Sequence, residues 1–169
     1  MSLKHFKLLV SIIISLALFI SSGGDIATSK EIQFSANYYN DQGLSSFNKG
    51  FYNLLPKRKK EEAAIHFENA ARSFKKALEI NGDFTEARRN LARVYFIRKE
   101  YARAVEEYKK VVALDPYDMN ARLAIASAYV KLGMHEEAIA QLRTARDMND
   151  DPVIIDKLNT LMESIDGKK

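Results

Sequence analysis

Catalysis or metal binding in this chain would have to be built from three histidines, His5, His66 and His135, and from carboxylate pairs such as Glu106-Glu107 and Glu136-Glu137. No histidine has a metal-ligating residue four positions on, and none stands near a candidate nucleophile. The absence of cysteine excludes thiol catalysis, disulfides, Cys-based zinc sites and lipid attachment to a cysteine. Gly23-Gly24 closes an apolar run instead of opening a helix, so there is no glycine-rich phosphate loop. The carboxylate pairs fall on polar helix faces, where solvation is their commoner role. No enzyme activity, cofactor or metal is therefore expected. Two cationic groupings remain. Arg89 and Arg93 are one helical turn apart, so both guanidinium groups would point the same way and could grip one carboxylate or an acidic segment. The alternative is that they are solvated or paired with Glu86 on their own helix. Pro56-Lys57-Arg58-Lys59-Lys60 is the densest run of like charge; a solvated, helix-breaking loop is its commoner role, and contact with anionic lipid or a partner is the alternative.

The formal net charge of +4 is weak support for nucleic acid, because Lys4 and Lys7 supply half of it and leave 24 basic against 22 acidic residues (26 − 2 = 24). No nucleic-acid partner is expected. Lys4, His5 and Lys7 precede an uncharged apolar run over residues 8–20, which ends in Ser21-Ser22-Gly23-Gly24 before Asp25. A positive start, a short apolar core and small residues after it describe a secretory signal peptide over residues 1–24, with Ser22 and Gly24 at the small positions before the cut. The alternative is an uncleaved anchor. Uncharged residues run only from Leu8 to Gly24, near the lower limit of about 17 that spans a bilayer. A buried structural helix is the third option. The first two place the body outside the cytoplasm, and a nuclear reading of the basic run loses its support.

The elements that would position these groups come from an internal repeat. Residues 85–118 align without a gap over residues 119–152, a period of 34. Ala87 falls on Ala121, Arg88 on Arg122, Ala92 on Ala126, Tyr95 on Tyr129 and Ala104 on Ala138. Apolar pairs follow the same register: Leu91 with Ile125, Val105 with Ile139, Tyr108 with Leu142, Leu114 with Met148. Leu91, Val94 and Tyr95 form one apolar helical face, and Ala104, Val105, Tyr108, Val112 and Ala113 a second helix that Asp115-Pro116 ends. Asp83 with Glu86 reads as a capping box, and Asp151-Pro152 opens a last helix that would bury Ile155, Leu158, Leu161, Met162 and Ile165.

This pattern resembles the tetratricopeptide repeat, whose first helix carries Leu-Gly/Ala and then Tyr, and whose second carries Ala, an aromatic and Ala. The second repeat reads Leu91-Ala92, Tyr95, Ala104, Tyr108, Val111 and Pro116. The third reads Ile125-Ala126, Tyr129, Gly133, Ala138, Leu142 and Ala145. Both depart at the bulky first position, held by Arg88 and Arg122, and the third has its proline displaced to Pro152. Upstream, Tyr39, Gly43, Phe47 and Gly50-Phe51-Tyr52 fit a first helix and its turn, and Ala70, Phe74 and Ala77 a second. About fifteen extra residues separate the two halves. The basic run would be a loop over residues 56–60 feeding a helix from about Glu61 to Ile80, because cations disfavour a helix start while Glu61 and Glu62 favour it. The expected organisation is all-α: a helix-turn-helix solenoid of about three repeats. Residues 1–24 are the signal peptide or N-terminal anchor, 25–36 a linker and 37–84 a degenerate, expanded first repeat. Residues 85–118 and 119–151 are the regular repeats, and 152–166 a helix capping the last open apolar face.

The resemblance implies a concave groove lined by the first helix of each repeat, in which a partner segment binds. Residues placed there are Asn37, Asn40, Asp41 and Leu44, then Arg89, Asn90, Arg93, Phe96 and Ile97, then Asn120, Leu123, Ser127 and Lys131. One subset of the family clamps the C-terminal carboxylate of chaperones with basic residues on the first and third of these helices. Here Asn40 and Leu44, Asn120 and Ala124 hold those positions, so the clamp is absent. The expected function is that of an exported, bacterial-type protein-interaction module, periplasmic or held at the inner membrane by an uncleaved N-terminus. Its partner would be a protein or peptide, with Arg89 and Arg93 selecting acidic ones. The alternative is a scaffold that self-assembles, or builds a membrane complex, through its convex or end surfaces. Lys57, Arg58, Lys59 and Lys60 form the candidate contact with lipid or partner.

Overall fold

The structure, a computed structural model, describes residues 35–167. The expected signal peptide and all but the end of the linker lie outside these residues. Within them are seven α-helices and no strand: α1 Ala36–Asn48, α2 Lys60–Ile80, α3 Thr85–Ile97, α4 Tyr101–Leu114, α5 Met119–Lys131, α6 His135–Asp147 and α7 Pro152–Asp166. A six-residue π-helix, Lys49–Leu54, continues α1 without a break. The helices pair as α1 with α2, α3 with α4 and α5 with α6. Each pair packs on the next, and α7 covers the last.

Local chemistry sets most of the boundaries. Ser35 Oγ accepts the Tyr38 N–H at 3.2 Å to start α1. Asp118 Oδ1 accepts the Ala121 N–H at 2.9 Å to start α5, and Asp151 Oδ1 the Val153 N–H at 2.8 Å to start α7. The capping box expected at Asp83 and Glu86 does not form. Asn81 Oδ1 accepts the Asp83 N–H at 3.1 Å, and this Asx-type turn pushes the cap position on to Phe84, which has no capping side chain. Glu86 is released to accept from Asn40 in the first repeat at 3.3 Å. The three turns inside the helix pairs share one conformation, with a left-handed residue in each: Arg58 (φ 58°), Lys99 (φ 62°) and Gly133 (φ 74°). Arg58 therefore bends the basic run at its middle. Lys60 is already helical, one residue ahead of the expected start, with Glu61 and Glu62 in the first turn.

The fifteen extra residues become length rather than a loose loop. The π-helix adds six residues beyond Asn48, which stands five places after Gly43 as Ile97 stands five after Ala92. On the other arm of the hairpin, residues 60–66 precede Phe67, the residue 34 positions before Tyr101, and add about two turns. The Leu55 N–H to Gly50 carbonyl bond of 3.1 Å is the wide i→i+5 bond of a π turn.

The core runs through every repeat at the small and aromatic positions of the period. Ala92, Ala104, Ala126 and Ala138 are buried where helices meet, and Phe74, Tyr108 and Leu142, 34 residues apart, fill the same place in successive repeats. Complete burial of Phe74 contributes roughly 1.5–3 kcal/mol. The capping helix turns a slightly different face inward than expected. Leu158 and Ile165 are buried and Ile154 and Met162 pack on the core, at spacings of four, four and three. Leu161, one place off that stripe, is 43% exposed.

Gly43 is the tightest point. A Cβ built on it would lie 2.4 Å from Phe74 Cε1, on a ring with no exposed surface. Gly43→Ala is expected to destabilise the fold by about 1–3 kcal/mol, the cost of overpacking, despite alanine's better helix propensity. Urea unfolding of the two proteins checks this; a stabilised variant would show that Phe74 moves aside freely.

Candidate partner-binding groove

The first helices of the repeats, α1, α3 and α5, line one face, and between the second and third lies an open cavity of about 390 Å³. α3 supplies Arg93, Phe96 and Ile97, α5 supplies Ala124 and Ser127, and Tyr108 of α4 forms the floor. Phe51 of the π-helix closes one side. Of the residues expected in the groove, Arg93, Phe96, Ile97 and Ser127 are brought together here. Leu123 and Leu44 pack partly against the core, while Asn37, Asp41, Asn120 and Lys131 are exposed elsewhere on α1 and α5.

Arg89 and Arg93 do not converge on one ligand. Arg89 reaches forward to the next repeat, where its Nη2 lies 2.6 Å and its Nε 3.2 Å from Asp118 Oδ2. Asp118 is buried, and its other oxygen caps α5, so this pair fastens the second repeat to the third. Pairing with Glu86 does not occur. Arg93 instead lays its guanidinium over the Phe47 ring, 4.8 Å from the centroid, and has no carboxylate partner among the described residues. Two of the asparagines expected in the groove are also engaged. Asn90 and Asn40 are buried, Asn90 Nδ2 donates to Asn40 Oδ1 at 3.2 Å, and Asn40 Nδ2 donates to Glu86. Ser127 Oγ donates to the Leu123 carbonyl at 2.8 Å, leaving a small, partly satisfied wall.

Two lining residues were not legible as such. Tyr108 reads as core from its register and is buried, yet its edge reaches the cavity. Phe51 arrives through the π turn, which no residue pattern announces. The arginines at the motif's bulky position are also accounted for. Arg88 Nη1 pairs with Glu107 of α4 at 2.8 Å and Arg88 Nη2 with the Gly82 carbonyl, whereas in the third repeat Gln141 stands at the place of Glu107 in the sequence and Arg122 donates to the Pro116 carbonyl at 2.8 Å.

Lys57, Arg58, Lys59 and Lys60 lie apart from the cavity lining, exposed at the tip of the extended hairpin. Lys59 Nζ pairs with Glu62 at 2.9 Å.

Burial pushes the Tyr108 hydroxyl from 10.0 up to about 12, with Arg93 and Arg89 pulling it down and Asp118 adding to the rise. Because the folded pKa is the raised one, this group's contribution to stability is complete below pH 10 and is lost as the pH climbs through 12. Between those limits wild type should lose up to roughly 2–3 kcal/mol more than Tyr108→Phe. Urea unfolding of both proteins at two alkaline pH values tests this, and parallel losses would remove Tyr108 from the account.

Sequence profiles of the tetratricopeptide repeat match residues 61–118 and 96–156, together more than half of the chain. No curated protein is a significant match to the sequence. Among solved structures, MamA is 22% identical with a TM-score of 0.57 over 69% of this chain. This chain spans only 55% to 59% of the MamA chains it matches. SycD, a type III secretion translocator chaperone of Yersinia enterocolitica, is 18% identical with a TM-score of 0.61, over 87% of this chain and 94% of SycD. The TPR2B domain of yeast Sti1, solved as a pHsp70 complex, is 14% identical with a TM-score of 0.62, over 79% of this chain and 98% of that domain. At these identities the likeness is one of fold, and it agrees with the repeat period, the helix order and the small-residue contacts. The chain belongs to the tetratricopeptide repeat family.

Proposed function

We propose that this chain is a non-catalytic protein-interaction module that holds an extended segment of a partner protein in the groove between α3 and α5. The observation that carries this reading is the open cavity on that face, with apolar walls and one guanidinium that has no carboxylate partner among the described residues. The fold supports it, since the similar first TPR of Spaghetti (RPAP3) was solved bound to an HSP90 peptide. A non-catalytic role is supported by the sequence, which offers no nucleophile beside a base. The basic start and apolar run of residues 1–24 support export to the periplasm, with the chain either cut ahead of Asp25 or retained at the inner membrane.

The test is capture of partners from an envelope fraction by wild type and by Ser127→Trp, which fills the cavity from an exposed position. Ser127→Trp should lose the captured protein at least tenfold, roughly 1.4 kcal/mol. A variant with Lys57, Arg58, Lys59 and Lys60 neutralised should keep it. Equal capture by Ser127→Trp sinks the groove reading. Mass-spectrometric reading of the N-terminus of the same purified chain should give Asp25; an intact N-terminus favours the anchor.

A second reading has one observation in its favour. The capping helix leaves Val153 and Leu161, two turns apart on one face, 59% and 43% exposed, where a terminal cap is expected to be polar. Self-assembly through this end would give a scaffold. Light scattering across a concentration range should then show dimers that Leu161→Lys disperses, and a strict monomer at every concentration ends this alternative.

A further inference from the structure

The inserted segment of the first repeat contributes to the groove as well as lengthening the hairpin. Without the insertion the first helix would end near Asn48, the position of Ile97 and Lys131 in the later repeats. The π turn carries the chain one step further and presents Phe51 at the cavity. Phe51 is held there by stacking on Phe47, with centroids 5.6 Å apart and planes 11° from parallel. Arg93 lies over the same Phe47 ring. An apolar ring and a cation of the cavity lining thus both rest on one buried aromatic.

The rest of the wall is apolar or small: Phe96, Ile97 and Ala124, over the largely buried Tyr108 floor, with the Ser127 hydrogen already given to a carbonyl. Such a lining receives a bulky apolar side chain and offers little to a polar one. The charge alongside is specific. Arg88, Arg89 and Arg98 have carboxylate partners in Glu107, Asp118 and Glu68, so Arg93 is the cation of this helix still open to an incoming carboxylate.

We propose that this site takes an extended peptide with a bulky apolar residue directly beside an aspartate or glutamate. The apolar side chain enters between Phe51 and Ile97, and the neighbouring carboxylate pairs with Arg93. The proposal rests on the groove reading and names its partner class.

The test is affinity selection from a random decapeptide display library with the full chain as bait. Enriched peptides should carry Leu, Met, Ile or Phe next to Asp or Glu. Peptides selected on wild type should bind Arg93→Glu at least about tenfold more weakly, and selection on that variant should no longer favour acidic residues. Phe51→Ala should weaken binding about fivefold and Phe51→Leu restore most of it, because the role is apolar contact. Both positions are exposed, and matching thermal melts exclude unfolding as the cause. Peptides blocked by Ser127→Trp that lack the apolar–acidic pair, or ignore both Phe51→Ala and Arg93→Glu, overturn this proposal and leave the groove reading standing. If no selected peptide is blocked by Ser127→Trp, both fall.

Discussion

Helices in this protein come together where one of them carries almost nothing beyond its Cα. Gly43 meets the Phe74 ring with no room for a methyl group, and Ala92, Ala104, Ala126 and Ala138 are buried along the same stack. Short side chains let backbones approach, and close approach lets the aromatic or leucine of the second helix fill the space completely. The rest follows from that spacing. Phe74, Tyr108 and Leu142 occupy one place in three repeats, and the first helices sit near enough for Asn40 and Asn90 to touch.

The polar groups of the inner face are used chiefly to join repeats. Asn40, Glu86 and Asn90 link the first repeat to the second, and Arg89 with Asp118 links the second to the third. Because Asn40, Asn90 and Asp118 are buried, each must find a partner, and each finds it across a repeat boundary. What remains on that face is the lining of the cavity, and it is largely aromatic and aliphatic. This explains why the face looks richer in binding groups in the sequence than it is in three dimensions.

The period of 34, the helix pairs, the Asp151-Pro152 cap and the capping helix were legible, because periodicity and capping are local signals. Three features were not. The π turn differs from an α turn by one hydrogen-bond register and has no compositional mark. Asp83 lost its cap to an Asx turn made by Asn81, two similar local bonds competing for the same few residues. Arg89 was legible as a groove residue, but its partner, Asp118, is 29 residues away and is fixed by how one repeat leans on the next. Leu161 shows the same limit on a smaller scale, since one position around a helix decides between core and solvent.

The bonds around α3 have a mechanical consequence. It is tied back to α1 through Asn90, forward to Asp118 through Arg89, and to its own hairpin partner through Arg88 and Glu107. The α5–α6 pair lacks the equivalent of that last tie, because Gln141 replaces Glu107 and Arg122 turns to a backbone carbonyl. In a stack where each unit contacts only its neighbours, rigidity is set unit by unit. α3 is therefore the braced member of the stack, and α5 hangs on it through Asp118, the residue that also caps its own first turn.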